Sequence, residues 1–466
     1  MIIHINERYL LLPVSREAEE QKLHFYLDGE KIAETDVKLA TDVPDFVFPM
    51  DMGSYIGRDI DVRIASGEET LLARIESSDT KPAVSDARRP KIHFTAERGW
   101  INDPNGLLYA DGVYHLFYQW NPYGTVWGNM HWGHAISRDL LTWEHRDTAL
   151  YPDAYGPMFS GSGFLDTENV AGYGKDALLF FYTAAGGDNA WSKEAGRRYT
   201  QQLAVSTDGG ETLQKKGVVL PHVKAGNRDP KVFYHAESDA YIMALYLGEG
   251  EFAIYRSEDM KRWTESSRLF AEGMWECPDL FRLTVSETGE KKWIFWSADG
   301  YYMIGEFDGY TFVPESGVLT AYDTKLGYAA QTYAGISNRV ISVAWYRTKC
   351  DADGFRGMMS VPTELSLGET ADGLRIRFAP VRELWDAYKP EPVEACGDTV
   401  TLPLKEEAAV YELQWNAAGT SQICVGSDTF SVSHDEKKTI LILDAGIAEY
   451  FSKGGTVYGA VELAQG

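Results

Sequence analysis

Short apolar runs, each ended by Gly, Asp or Asn, recur along most of this 466-residue chain. From residue 93 to about residue 377 they form five strand–turn–strand units. Runs of this length between turn residues predict β-strands rather than helices. The second strands of the five units are expected at 113–118, 177–182, 240–245, 292–296 and 339–345.

A second pattern follows three of the units. A Ser-x-Asp triplet precedes a large apolar residue, which indicates an outer hairpin with one packed side chain. Five four-stranded units at this spacing predict a five-bladed β-propeller, whose inner strands begin at one end of a central channel. The triplets and their partners are Ser137–Asp139 with Trp143, Ser206–Asp208 with Leu213, and Ser257–Asp259 with Trp263.

The segments before and after the predicted propeller have a different sequence pattern. Residues 1–76 predict a small N-terminal β domain with strands at 23–27, 61–64 and 71–75, and residues 77–90 predict a linker. The propeller itself is assigned to 91–377. Residues 378–466 alternate in polarity and predict a C-terminal β-sandwich, with strands at 399–404, 410–415 and 439–443. The expected fold class is therefore all-β.

The net charge of the chain limits the classes of partner that it is expected to bind. The chain has 44 Lys and Arg against 69 Asp and Glu, a net charge of −25. This balance disfavours nucleic acid and anionic membranes as partners and is compatible with a small neutral carbohydrate. The 13 Trp, 27 Tyr and 20 Phe mostly predict sheet packing, although aromatic rings also suit the flat faces of sugars. The oligomeric state is left open.

Cysteine and histidine spacing predicts neither a metal nor a cofactor. The cysteines Cys277, Cys350, Cys396 and Cys424 form no CxxC pair, and the ten histidines form no HExxH motif. Few cysteines fit a reducing compartment, and the first residues lack a basic segment followed by a long apolar run. We therefore expect a cytoplasmic protein, with an extracellular location left open if a leader is missing from the sequence.

Three segments each place a carboxylate in a tight, Pro-containing stretch. One such segment would more often be only a turn. Three of them within one repeating β pattern predict a shared acidic pocket, the equipment for cleaving a glycosidic bond without a metal. The segments are Trp100-Ile101-Asn102-Asp103-Pro104-Asn105-Gly106, Asn227-Arg228-Asp229-Pro230 and Trp275-Glu276-Cys277-Pro278-Asp279.

Together with Phe159-Ser160-Gly161-Ser162 and the segment 357–367, these motifs resemble glycoside hydrolase family 32 in identity and order. This is the invertase, levanase and inulinase group, and the resemblance covers residues 91–466. It implies a propeller with a C-terminal sandwich and retaining release of terminal fructose from β-fructofuranosides such as sucrose, fructo-oligosaccharides or fructans.

The resemblance also implies residue roles. Asp103 would be the nucleophile, Glu276 the acid/base and Asp229 the transition-state stabiliser. Close like charges should raise one pKa and favour a proton on Glu276, while Arg228 should keep Asp229 ionised. A purely structural ion pair is the alternative for Arg228, and Cys277 is expected only to pack. Substrate binding is assigned to Trp100, Asn102, Gln119, Trp127, Phe159, Ser160 and Arg228.

Two other functions stay open from the sequence. A fructosyltransferase would use the same residues with a sugar as acceptor, and a non-catalytic carbohydrate-binding propeller would use the same fold. The segment 322–331 departs from the Asp-Phe-Tyr-Ala pattern frequent in the family, because Leu326 and Gly327 stand at the first two positions. Preference among sucrose, levan, inulin and short oligosaccharides, and endo against exo cutting, are therefore not predicted.

Overall fold

The computed structural model describes residues 1–66, 68–84, 88–352, 354–395 and 397–464. Cys396 and part of the expected linker at 77–90 lie outside the described residues. Strands make up most of the regular structure of the described chain, and the all-β prediction is confirmed. Its α-helices, α1 (Ala190–Glu194) and α2 (Glu383–Ala387), have five residues each. No helix in these ranges is long and apolar enough to cross a membrane.

Two small sheets form the N-terminal unit, in the orders β1-β6-β3-β4 and β5-β2-β7. The strand expected at 71–75 is wrong, because Glu69–Arg74 form a 3-10 helix. A short apolar run does not distinguish the two structures by periodicity. The strands are β1 (Ile2–His4), β2 (Tyr9–Val14), β3 (Gln21–Leu27), β4 (Glu30–Val37), β5 (Phe46–Asp51), β6 (Asp59–Ser66) and β7 (Glu76–Ser78).

Five predominantly antiparallel blades of a β-propeller follow, formed by four sheets, and the predicted fold class is confirmed. The first blade pairs in the order β11-β10-β9-β8, and the second and third pair in chain order. These strands are β8 (Gly99–Ala110), β9 (Val113–Asn121), β10 (His131–Ser137), β11 (Glu144–His145), β12 (Met158–Asp166), β13 (Ala177–Ala184), β14 (Thr200–Ser206), β15 (Gln214–Leu220), β16 (Arg228–His235), β17 (Ala240–Gly248), β18 (Glu251–Ser257) and β19 (Thr264–Phe270).

The fourth blade pairs in chain order, and the fifth is β25-β26-β28-β29. One further strand, β27, pairs with β26 and, in parallel, with β8, so that the fifth and first blades share a sheet. These strands are β20 (Asp279–Thr284), β21 (Lys291–Trp296), β22 (Tyr301–Phe307), β23 (Phe312–Pro314), β24 (Leu319–Thr320), β25 (Gly327–Thr332), β26 (Val340–Ala352), β27 (Phe355–Met359), β28 (Thr363–Thr370) and β29 (Gly373–Pro380).

The Ser-x-Asp triplets lie where the third strand of a blade turns into the fourth. In each triplet, the serine hydroxyl donates a hydrogen bond to the aspartate two residues later. That aspartate accepts hydrogen bonds from backbone N–H groups of the turn. The apolar residue after each turn packs into the core. The outer-hairpin prediction is therefore confirmed, and the triplets are turn caps.

Buried polar contacts fix the inner strands to one another. The Ser162 hydroxyl on β12 donates to the Pro230 carbonyl on β16 at 2.8 Å. The Lys231 ammonium on β16 lies 3.0 Å from Asp279 on β20 and donates to the Thr332 carbonyl on β25 at 2.7 Å. A buried lysine is tolerated because both partners are present. These links hold the beginnings of the inner strands in register around the centre.

The C-terminal β-sandwich has sheets β30-β32-β35-β36-β37 and β31-β33-β34. The predicted strands 410–415 and 439–443 are confirmed, and 399–404 is shortened to β31. The boundaries of all domains stay predictions. The strands are β30 (Glu391–Ala395), β31 (Thr399–Leu402), β32 (Ala409–Trp415), β33 (Gly419–Val425), β34 (Asp428–His434), β35 (Lys438–Asp444), β36 (Ile447–Ser452) and β37 (Val457–Glu462).

A buried histidine ties the propeller to the sandwich. The two ring nitrogens of His93 lie 2.9 Å from Asp444 and 2.7 Å from Glu449. Burial alone would lower the pKa of His93, but hydrogen bonds to the two carboxylates outweigh it and raise the pKa to about 9. The junction therefore contains an imidazolium between two carboxylates near neutral pH.

This junction predicts a pH-dependent stability. Because the folded pKa of His93 lies above the ordinary value of 6.5, its stabilising effect is complete below pH 6.5 and is lost as pH rises through 9. His93→Ala should lower the free energy of unfolding by about 3–5 kcal/mol near pH 6 and flatten this dependence. Denaturant unfolding from pH 6 to 9.5 measures both effects. The exposed His4, paired with Asp59, supplies the control His4→Ala; equal losses in both variants would contradict the prediction.

Candidate active site

A cavity of about 270 Å³ lies where the inner strands of the blades begin. It brings together residues from all five blades, since each blade contributes from its inner strand or from the segment before or after that strand. A cavity of this size suits a single sugar ring better than a long chain. Its lining consists of Asn102, Asp103, Gln119, Trp127, Phe159, Ser160, Arg228, Asp229, Glu276, Tyr328 and Trp345.

Asp103 projects from β8 and is held at both carboxylate oxygens. Ser160 donates its hydroxyl to one oxygen at 2.5 Å, and the Asn102 amide donates to the other at 3.1 Å. Burial and the nearby Glu276 carboxylate raise the pKa of Asp103, while these hydrogen bonds act in the opposite direction. Two neutral donors therefore fix its orientation, and no cation of the described ranges forms a direct ion pair with it.

The glycine of the same motif has a packing role. Gly106 has a φ of +52°, and a Cβ at this position would lie 2.9 Å from Phe117 and 3.0 Å from Phe180. Glycine is therefore required on both conformational and steric grounds. It permits the first two blades to approach closely just behind Asp103.

Glu276 is held by two donors on opposite oxygens. The Arg228 guanidinium donates to Oε1 and the Tyr328 hydroxyl donates to Oε2, both at 2.5 Å. The Trp275 indole in turn donates to the Tyr328 oxygen at 3.1 Å. The side chain is thus aimed into the cavity by residues from the third and fifth blades.

Asp229 is almost fully buried, and its environment differs from the predicted one. The backbone N–H of Cys277 donates to Asp229 at 3.0 Å, whereas the nearest Arg228 nitrogen lies 3.8 Å away. Burial raises the pKa of Asp229 to about 7, the charge of Arg228 lowers it, and the charges of Glu276 and Asp103 raise it. Arg228 therefore favours an ionised Asp229, as predicted, but burial outweighs this effect, and the short contact of Arg228 is with Glu276.

The backbone is strained at these positions. Asp229, Glu276, Cys277 and Ala329 have φ values of +64°, +53°, +43° and +51°. Residues with a side chain rarely adopt this left-handed region, at a cost of about 1–3 kcal/mol each. Such conformations persist where surrounding contacts over-determine them. Asp229 and Glu276 line the cavity, and Cys277 and Ala329 pack together beside Tyr328, which also lines it, so the strain supports a functional reason.

Cys277 lies beneath two of the carboxylates. Its sulfur is 3.6 Å from Asp103 and 3.7 Å from Asp229, and the side chain is buried. Burial first, and then these negative charges, raise its pKa well above the ordinary value. The thiol is therefore un-ionised and no nucleophile. It also donates toward both carboxylates, a contact that the sequence prediction of a packing residue missed.

Six of the seven predicted binding residues line the cavity. Trp100 differs, since its indole donates to Asn102 at 3.0 Å and it stacks edge-on against Trp345. It supports the lining from behind. The roles in substrate binding stay predictions, as do the three catalytic roles. In the described ranges, no group of three or more His, Cys, Asp or Glu side chains is arranged to hold a metal ion.

Sequence reasoning missed two lining residues, Tyr328 and Trp345. Trp345 lines the cavity although it is mostly buried. Tyr328 lies at the beginning of the fifth inner strand, a position predicted to face the centre. The Tyr-Ala pair of the family's pattern at 328–329 was the available signal.

Residues 93–378 match the family model described as the glycosyl hydrolases family 32 N-terminal domain. The chain belongs to glycoside hydrolase family 32. The resemblance inferred from the ordered motifs is thereby confirmed, and the N-terminal unit before residue 93 lies outside the matched segment.

Family 32 relatives include a levanase of Bacillus subtilis, 38% identical over 329 residues, an alignment covering 64% of this chain and 47% of the levanase. An extracellular exo-inulinase of Aspergillus awamori is 34% identical, with 60% and 62% of the two chains covered. The alignments therefore span about half to three fifths of these two relatives. A sucrose-6-phosphate hydrolase of Zymomonas mobilis is 32% identical, with 78% of each chain covered.

Solved structures of the family share the fold. The Aspergillus awamori exo-inulinase superposes with a TM-score of 0.67 at 24% identity, covering 82% of this chain and 94% of that one. A fructofuranosidase variant of Schwanniomyces occidentalis, complexed with fructosylnystose, gives a TM-score of 0.68, with 84% and 94% covered. At this identity the likeness shows the fold alone.

The raised pKa of Asp229 predicts that this carboxylate destabilises the fold. A carboxyl whose folded pKa is raised from 3.8 to about 7 opposes folding above pH 7, and the penalty disappears as pH falls toward 4. Asp229→Asn should therefore raise the melting temperature at pH 8 and leave it nearly unchanged at pH 4.5. Differential scanning calorimetry at the two values checks this. Asp372→Asn, on an exposed turn, is the control; a lowered melting temperature at pH 8 for Asp229→Asn would contradict the prediction.

Proposed function

We propose that this protein is a retaining hydrolase that releases terminal fructose from neutral β-fructofuranosides. The observation that carries the proposal is the pairing of Asp103 and Glu276 at one small cavity, each oriented by two hydrogen-bond donors. Family membership supports the same chemistry. The cavity volume of about 270 Å³ supports removal of one terminal sugar at a time.

In the first step, Asp103 attacks the anomeric carbon of the fructosyl unit and forms a covalent ester. The bond from that carbon to the leaving oxygen breaks, and its electron pair accepts the proton of Glu276. In the second step, Glu276 takes a proton from water, whose oxygen displaces Asp103 and regenerates the carboxylate. Asp229 accepts hydrogen bonds from fructose hydroxyls, which strengthen as positive charge develops on the ring.

The residues around the pair have distinct tasks in this sequence. Ser160 and Asn102 hold Asp103 in line with the anomeric carbon. Arg228 and Tyr328 fix the orientation of Glu276 between its two proton transfers. Trp127 and Phe159 provide apolar surface for the sugar ring and help exclude water.

The alternatives receive less support. The relatives are named for hydrolysis, as levanase, exo-inulinase and invertase, which does not favour a fructosyltransferase. A binding protein would not require both Asp103 and Glu276 to be oriented by dedicated donors. A phosphorylated substrate is also disfavoured, because three carboxylates face the cavity and its one arginine is paired with Glu276. The cytoplasmic location stays a prediction.

Substitution of the carboxylates tests the mechanism. Asp103→Asn should lower kcat on sucrose by roughly 10³-fold or more, because the attacking charge is lost. Glu276→Gln should lose about 10²–10⁴-fold on sucrose and much less on an aryl fructoside, whose leaving group needs no proton. Released fructose measures activity, and NMR of the early product should show the β anomer. Glu272→Gln, at a nearby exposed residue, is the control. Wild-type turnover by Asp103→Asn, or early α product, would refute the mechanism.

The two raised pKa values predict the acidic side of the pH profile. Asp103 must be ionised to attack, so activity should be lost as pH falls through its raised pKa rather than near 4. The dependence of kcat/KM on pH, with sucrose, measures this in the free enzyme. Because the charges of Asp103 and Asp229 repel one another, Asp229→Asn should move the residual profile toward lower pH. An acidic limb at pH 4 in both proteins would contradict the prediction.

A further inference from the structure

A second and larger cavity, of about 610 Å³, lies between the N-terminal unit and the propeller. Its walls come from both: Glu17, Glu20 and Lys38 from one side, and the segment 121–130 with Asp188 from the other. Trp127 and Phe159 line this cavity and the catalytic cavity alike. The two cavities are therefore adjacent and share these two aromatic side chains.

The N-terminal unit fixes the loop that carries Trp127. Asn129 has a φ of +44° and exchanges two hydrogen bonds with the backbone of Asp36, donating to its carbonyl at 2.7 Å and accepting from its N–H at 2.9 Å. The Thr35 hydroxyl donates to the same Asn129 oxygen at 3.3 Å. Strand β4 thus holds one end of the loop 121–130, and the position of Trp127 depends on a domain outside the matched family segment.

A second contact fixes the opposite wall. The backbone N–H of Trp191, on α1, donates to Glu34 at 3.2 Å, and Lys31 bridges Glu34 and Glu194 at 2.9 and 3.6 Å. The loop containing Asp188 precedes this helix. The N-terminal unit therefore contacts both propeller loops that line the larger cavity, so this cavity has defined walls on either side.

The lining has the chemistry of a neutral sugar site. Trp127 is 56% exposed, and it packs edge-on against Phe159, which packs edge-on against Tyr199. An exposed indole beside polar acceptors matches a sugar, which has flat C–H faces and peripheral hydroxyls. Acidic side chains outnumber basic ones in the lining, which disfavours an anionic occupant.

Two of these carboxylates have free acceptor capacity. Glu17 and Glu20 are exposed, and within the described ranges neither forms an ion pair. Other lining groups are already engaged, since Asp45 pairs with Arg16 and Asp36 with Lys22. Glu17 and Glu20 are therefore the side chains best able to accept hydrogen bonds from an incoming ligand.

We propose that the N-terminal unit builds a binding site for the sugar units that follow the terminal fructose of a neutral fructo-oligosaccharide. The inference depends on the proposed function, because the terminal unit must occupy the catalytic cavity. The remaining sugar units of the oligosaccharide extend past Trp127 and Phe159 into the larger cavity, where they hydrogen-bond to Glu17 and Glu20. Sucrose is too short to make these contacts, whereas nystose, which carries two further fructosyl units, reaches them.

The test compares sucrose and nystose with the double variant Glu17→Ala/Glu20→Ala. Its KM for nystose should rise roughly tenfold, the change that about 1.4 kcal/mol of lost binding energy produces. Its KM for sucrose and both kcat values should stay within about twofold of wild type, as expected for loss of uniform binding. The matched control is Glu19→Ala/Glu30→Ala, which removes the same charge from exposed N-terminal residues that do not line the cavity.

Binding is measured separately in the inactive Asp103→Asn background. Calorimetric titration with nystose should give a Kd about tenfold weaker when Glu17 and Glu20 are also replaced, with sucrose binding unaffected. Unchanged nystose affinity, or equal losses for sucrose and nystose, would overturn the proposal. If the double variant melts at lower temperature, each single variant is titrated instead, with the same expectation. If the wild-type protein releases fructose from neither sugar, the proposed function itself is refuted, and this result is obtained before any variant is compared.

Discussion

The close placement of Asp103, Asp229 and Glu276 at one cavity is the constraint that the surrounding structure must accommodate. Burial first, and then repulsion between neighbouring carboxylates, raises the pKa values of Asp103 and Asp229. Among the described residues, Arg228 is the cation in short contact with the three, and it contacts Glu276. The three carboxyl groups thus have different surroundings, which is the condition for neighbouring carboxyl groups to take different roles in acid–base chemistry.

The propeller can hold three carboxyl groups at one cavity because contacts outside the cavity fix its inner strands. Lys231, Asp279 and Thr332 join three inner strands through buried contacts, although one carboxylate oxygen of Asp279 has no hydrogen-bond partner among the described residues. Asp229 lies two residues before Lys231 and Glu276 lies three residues before Asp279, and both have left-handed backbone. Unfavourable charge and strained backbone at the cavity thus lie next to contacts that fix the inner strands, as expected where stability is given up for function.

The fold was predictable where the pattern repeats. Alternation, turn residues and the Ser-x-Asp caps identified the blades, because each acts over a few neighbouring residues. The three carboxylates were predictable because their motifs fall near the beginnings of the inner strands of the first, third and fourth blades. The partner of Arg228 was not, since its sequence neighbour is Asp229 while its short contact is with Glu276, 48 residues later. The contacts of Cys277 and Trp345 also depend on packing between blades, which no local pattern encodes.

The two flanking units have different relations to the site. The C-terminal sandwich joins the propeller through His93, Asp444 and Glu449, which form a buried network. The N-terminal unit also shares a buried apolar core with the propeller, where Phe48 packs against Trp120 and Tyr123. Beside this core, at the loop 121–130, it leaves a cavity open. Because Trp127 borders both this cavity and the catalytic cavity, the N-terminal unit is placed to contribute to what the site binds as well as to its support.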